Sequence, residues 1–164
     1  MCLFTKWILP RKTHNYMTVY KVVKLKSHRK HIGKQRYFSP VMKDEIYLYQ
    51  PIKATGRKTP QLYQNRYLCF SPFYGRRRVL RGIPPNMRFE GIVYTVEDGY
   101  IHCCTSKEYA EQWIKANTWL FPHKRWAILK CIIYPNTLYF KDYSGNQICV
   151  RSLVPMEVIK RGVV

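Results

Sequence analysis

The sequence predicts an α+β domain: a small mixed or antiparallel sheet with one main helix, about residues 105–117, packed on it and a basic, irregular N-terminal half. Three observations carry this. An alternating run Ile92-Val93-Tyr94-Thr95-Val96 is followed by Glu97-Asp98-Gly99 and a second β-rich run, Tyr100–Cys104. Asp-Gly between two such runs predicts a hairpin, because Gly supplies the positive φ of a tight turn. Thr105-Ser106-Lys107-Glu108 then fits a capping box, with the Thr105 hydroxyl taking a free backbone N–H. The helix it opens places Tyr109, Ala110, Trp113 and Ile114 on one side and Lys107, Glu111 and Lys115 on the other. Third, Trp126–Tyr134 is almost continuously apolar, the pattern of a central strand covered on both faces.

The remaining elements attach to this core. Pro135-Asn136 turns the chain and Thr137–Tyr143 runs back, Ser144-Gly145-Asn146 turns it again, and Gln147–Val150 and Val154–Ile159 are further strands. Upstream, residues 1–16 read as an extension and Met17–Leu25 as the first strand of the domain. Lys26–Tyr37, with Gly33 near its middle, reads as an exposed basic hairpin or loop. Between residues 38 and 89 prolines interrupt every candidate element, since each removes a donor and restricts its neighbour. Short strands are expected at Glu45–Tyr49, Leu62-Tyr63 and Arg66–Phe70. A chain of 164 residues with 46% hydrophobic content suits one domain, divided into the extension, a loop-rich half over 17–89 and the core over 90–164.

Charge separates the two halves. Residues 1–89 hold 20 Lys/Arg against Asp44 and Glu45, whereas residues 90–164 hold 9 against 7 acids; the whole chain carries +20. Such a field concentrates polyanions, of which nucleic acid is the commonest. Tyrosines and arginines interleave from Tyr63 to Arg81, offering stacking faces for bases and forks for phosphates. The expected nucleic-acid contacts are Arg29, Lys30, Lys34, Arg36, Tyr67, Tyr74, Arg76, Arg77, Arg78, Arg81 and Arg88, with RNA or single strands favoured, or a ribonucleoprotein as the partner.

Other chemistries find little support. His28 and His31 lack a second pair of ligands at matching spacing, and neither a Walker A loop nor a G-x-G-x-x-G is present, so no metal or cofactor is expected. On a strand His102 and Cys104 face away from Cys103, so the three cannot converge on one metal. The six cysteines form no C-x-x-C and read as thiols of a reducing compartment. No apolar run reaches the roughly 18–20 residues of a membrane span, and the N-terminal residues lack the parts of a secretory leader. A cytoplasmic protein is the expectation.

One order of residues resembles a known family. A strand leading into Cys104-Thr105-Ser106, a helix with Ala110 and Trp113, a buried strand closing in Ile133-Tyr134-Pro135-Asn136-Thr137, and a late acid in Pro155-Met156-Glu157 is similar to the C-terminal half of ADP-ribosyltransferase-like folds. The resemblance implies a catalytic role for Glu157 and a dinucleotide-binding role for the strand carrying Tyr20-Lys21. Cys104 departs from it where a Ser is usual, Pro155 stands where a second carboxylate or Gln is usual, and Lys21 replaces an Arg or His. The same C-terminal stretch is similar to that of short uncharacterised phage proteins. That likeness implies an accessory factor acting on host nucleic-acid machinery from the host cytoplasm, such as an inhibitor of a nucleic-acid-guided defence in the manner of anti-CRISPR proteins. An enzyme of the transferase type and a virion structural or packaging protein are the alternatives.

Overall fold

The structure, a computed structural model, describes residues 3–5, 9–27, 35–39, 45–54, 62–66, 92–96, 100–121, 125–142 and 144–163; for Phe4, Ser27, Gln35, 62–66 and 92–96 it describes the backbone alone. Its centre is a pair of long antiparallel strands, β3 (Met17–Ser27) and β10 (Arg125–Ile133), in unbroken register from Met17↔Ile133 to Lys24↔Trp126. Both are rich in β-branched and aromatic residues, which suit a pleated surface packed on both sides. Alternate residues face alternate sides: Val19, Val23 and Leu25 with Ala127, Leu129 and Cys131 point one way, and Val22 with Ile128 the other.

On one side of this pair β10 joins β13 (Ser152–Val163), whose early residues Ser152 and Leu153 pair with β6 (Ile52–Lys53). On the other side β3 meets two strands. Its second half forms a hairpin with β4 (Gln35–Phe38), which pairs in turn with β5 (Glu45–Ile46); its first half touches β9 (Ile101–Cys104) at the single bridge Tyr20↔Cys104. Beyond β9 lie β12 (Gln147–Val150), β11 (Leu138–Lys141) and β2 (Arg11–Lys12). These ten strands make one antiparallel sheet.

The sheet curls around its first core. Past Ile46 the chain returns to β13, where the Tyr49 N–H donates to the Pro155 carbonyl at 2.7 Å. Tyr49 takes a left-handed backbone (φ 62°) to do so, a conformation costing about 1–2 kcal/mol in a bulky L-residue. Ile46 and Leu153 thereby meet Val23 and Leu129 in one apolar cluster. A second, three-stranded sheet of β1 (Leu3–Thr5), β8 (Ile92–Val96) and β7 (Leu62–Arg66), in the order β1-β8-β7, sets Leu3 against Tyr100, Phe140 and Cys149.

The one α-helix among the described residues, α1 (Lys107–Ala116), crosses the other face. Ala110, Trp113 and Ile114 are buried there against Val22 and Ile128, the face expected from sequence. Its cap sits one residue later than the sequence predicts: the Ser106 hydroxyl accepts from the Tyr109 N–H at 3.1 Å, while Thr105 Oγ1 donates to the Gly145 carbonyl at 2.8 Å. At the far end of β13, Gly162 lies opposite Trp126, whose indole fills the space a Cβ would take, with ring atoms 2.2–2.9 Å from that position.

Three expectations need correction. The fold is mostly antiparallel β, a ten-stranded sheet with a smaller second sheet, in place of an α+β domain with a main helix on a small sheet. The N-terminal half holds seven of the strands, from two to eleven residues long; where such strands are brief, prolines bound them and no periodicity develops. The Asp98-Gly99 signal does not join a hairpin, because β8 and β9 belong to different sheets. Likewise β11 does not pair back onto β10; it pairs with β12 and β2. The turn at Gly145 (φ 79°) does join the hairpin β11–β12 as expected.

Candidate functional site

Among the described residues, α1 covers only part of the sheet face on which it packs. Along β3 and β10 its residues meet in rows, Lys24 with Trp126, Val22 with Ile128, Tyr20 with Lys130 and Thr18 with Ile132. The helix lies over Val22 and Ile128, with Tyr20 and Trp126 packed against the same cluster. One step past both strand ends Tyr16 meets Tyr134, ring centroids 5.2 Å apart at 65°. Tyr16 is 66% exposed, Tyr134 49% and Thr18 lies open to solvent. A surface of aromatic and small polar side chains is therefore left uncovered at this end.

Thr13 holds that end rigid. Its Oγ1 donates to the Tyr134 carbonyl at 2.8 Å and accepts from the Thr137 N–H at 3.1 Å. Its own N–H donates to Thr137 O, and its carbonyl accepts from the Asn136 N–H. Asn136 sits at φ 63°, which asparagine tolerates better than most residues. Thr13 is buried, and the residues on either side of it, Arg11, Lys12, His14 and Asn15, are exposed.

Four registers align a transverse row across five strands: Gln147, Cys104, Tyr20, Lys130 and Glu157. The row contains three of the positions named by the transferase resemblance, and it shows how they are used. Lys130 Nζ pairs with Glu157 at 3.0 Å, and the Glu157 side chain is 54% exposed, so in this structure the carboxylate is a strand-surface ion-pair partner. Burial pushes the Cys104 thiol up to about 12, and it stays protonated at neutral pH. Lys21 points to the opposite face, buried, where its Nζ donates to the His102 carbonyl at 3.2 Å across the gap left as β9 parts from β3. Thr105 and Ser106 spend their hydroxyls on Gly145 and on the helix cap.

Beside the row stands His102, opposite Cys149 and two residues from Cys104 on the same face. The residue as a whole is only partly covered, yet both ring nitrogens are shut off from solvent and have no hydrogen-bond partner. Burial, with the nearby Lys21 ammonium adding to it, lowers its pKa to about 3. Gln147 donates through Nε2 to the Tyr109 hydroxyl at 3.0 Å, while its Oε1 is buried without a partner. All the buried unpartnered side-chain N and O atoms among the described residues thus lie on β9 and β12, two register positions apart. Buried polar groups without partners are rare and costly.

Of the eleven basic and aromatic residues expected to touch nucleic acid, only Arg36 is among the described residues; Arg29, Lys30, Lys34, Tyr67, Tyr74, Arg76, Arg77, Arg78, Arg81 and Arg88 lie outside them, as do Cys2, Cys69, His28, His31 and His123. The Arg36 guanidinium is engaged by the Glu45 carboxylate through both Nε and Nη2 and lies 5.2 Å from the centre of the Phe38 ring, holding the β3–β4–β5 hairpins together. Sequence reasoning missed Tyr16 and Tyr134. Tyr16 stands one residue before a readable strand and Tyr134 closes another, and only the β3–β10 register makes them neighbours. It also passed over His102, since nothing in a strand sequence marks a histidine as unpartnered.

The remaining described cysteines, Cys103, Cys131 and Cys149, are buried free thiols like Cys104. Burial raises all of them, Cys103 to about 11 and the other two further. No group of His, Cys, Asp or Glu among the described residues is placed to hold a metal. No helix among them is long and apolar enough to cross a membrane. Comparisons with protein-family models, curated proteins and solved structures return no match.

Proposed function

We propose that the protein binds nucleic acid, RNA or a single strand, alone or within a ribonucleoprotein. The observation that carries the reading is the segregation of charge. The residues before 90 hold 20 cations against 2 acids and include the Arg76-Arg77-Arg78 run. Three adjacent guanidinium groups resist burial and suit phosphates, which they bind as planar forks. The phage-like C-terminal pattern extends the reading to an accessory role against host nucleic-acid machinery, acting in the host cytoplasm.

The test is salt dependence. Affinity for a single-stranded RNA falls steeply as salt rises, with log Kd against log salt steepening by about 0.7 for every phosphate neutralised. Arg76→Ala, Arg77→Ala and Arg78→Ala combined flatten the slope by up to about 2 without moving the melting temperature. Binding that ignores salt sinks the electrostatic account.

A second reading, a transferase related to the ADP-ribosyltransferase-like folds, draws support from the transverse row that puts Cys104, Tyr20 and Glu157 on one face. The ion pair of Glu157 with Lys130 and the opposite orientation of Lys21 weigh against it. Glu157→Gln separates the two: as a binder the protein keeps its RNA affinity and has no dinucleotide cleavage to lose. Nicotinamide release that disappears with Glu157→Gln would favour the transferase.

A further inference from the structure

We infer that the open half of the helix-side face is a stacking platform for unpaired bases, with Tyr16 and Tyr134 supplying the rings. This rests on the nucleic-acid reading and assigns its base-contacting part to residues other than the arginine run. Four features lead to it. First, the two rings are exposed and meet edge to face at 65°, a contact that takes up one face of one ring and leaves the other faces for a planar ligand. Second, the Tyr134 backbone is held before any ligand arrives, since its carbonyl accepts from the Thr13 hydroxyl and the turn that follows is tied to Thr13 through Asn136 and Thr137. Third, the surface continues along the strands through exposed Thr18 and its partner Ile132, up to Tyr20, which packs against the helix cluster. Fourth, exposed Arg11, Lys12 and His14 run beside the pair in a chain of +20, which favours a polyanion as the occupant.

Strandedness follows from the same geometry. Bases inside a duplex already have their faces covered by neighbours, so a ring can stack only on a base that is unpaired. An aromatic platform also tolerates any sequence, because every base has a π-face. The expected ligand is therefore single-stranded nucleic acid with little sequence preference.

The experiment measures binding of the full chain to three probes at one salt concentration: a twelve-nucleotide RNA of mixed sequence, the same RNA as a duplex, and inorganic polyphosphate, which has charge and no bases. The parent protein is expected to prefer the single strand. Tyr16→Ala and Tyr134→Ala should each weaken single-strand binding by about 5- to 100-fold and leave polyphosphate binding unchanged, while Tyr16→Trp restores it. Both positions are exposed, so melting temperatures serve as the control for folding. Single-strand affinity that survives the double alanine variant overturns the platform and hands this face to a protein partner, yet leaves the nucleic-acid reading standing. An equal loss toward polyphosphate overturns it too, since the tyrosines would then be acting through something other than stacking. If the parent binds none of the three probes, the nucleic-acid reading itself fails.

Discussion

Trp113→Ala is expected to lower stability by about 3–5 kcal/mol, the usual loss for a buried large aromatic. That is most of what a domain of this size has to lose. Only Ala110, Trp113 and Ile114 of α1 are buried, and the indole is by far the largest of the three. It is 7% exposed and packs edge to face on Phe121, centroids 6.3 Å apart, above Val22 and Ile128. Removing it leaves a cavity that the close-packed sheet beneath cannot collapse to fill. Trp119, six residues on in a short 3-10 turn, is 76% exposed and provides the contrast. Trp119→Ala should move the denaturant midpoint very little, within about 0.5 kcal/mol. Equal midpoints for the two variants would show that the helix contributes nothing to the core.

The second large effect is acid sensitivity centred on His102. Its folded pKa is near 3 and its ordinary value is near 6.5, so between those limits the unfolded chain binds a proton that the folded chain refuses. Acid therefore favours unfolding: stability is full above about pH 6.5 and falls as pH drops, by up to about 1.4 kcal/mol per unit. Denaturant titrations at pH 7.5 and 4.5 measure the slope. His102→Leu should remove most of it. At pH 7.5 the same change should cost little or even stabilise, because it deletes two ring nitrogens that have no partner. Parallel pH profiles for parent and variant would place the acid-sensitive group elsewhere.

How far the fold was legible varies element by element, and the pattern has a physical cause. β3, β10, β12 and α1 were readable because each carries its own periodicity or apolar run. The Ala110–Trp113–Ile114 stripe was readable for the same reason. Pairing was not, since hydrogen-bond partners in a sheet are chosen by surfaces far away in the chain. Ile92–Val96 and Ile101–Cys104 illustrate this: both are strands, as their residue types suggest, yet they belong to different sheets. The strands at Arg11, Glu45 and Ile52 are two residues long and exist only because a longer neighbour offers them an edge. For the candidate site, a strand carboxylate at Glu157 paired with a neighbouring cation could be anticipated from residue type. The alignment of Tyr16 with Tyr134 and the isolation of His102 could not, because both arise from register and burial.

The Thr13 hydrogen bonds reach Tyr134 and Thr137, 121 and 124 positions along the chain. The long strand just after Thr13 finds its main partner equally late. On a ribosome, nascent β3 must therefore wait for β10 to emerge before the central pair can form. Throughout that interval the most cationic part of the polypeptide is already outside the exit tunnel, unfolded and next to ribosomal RNA. The same charges that suit a nucleic-acid ligand then work against release and folding. Slow, salt-sensitive folding and a tendency to stay with ribosomes during overproduction are the expected costs of putting the first strand of the central pair so far ahead of the second.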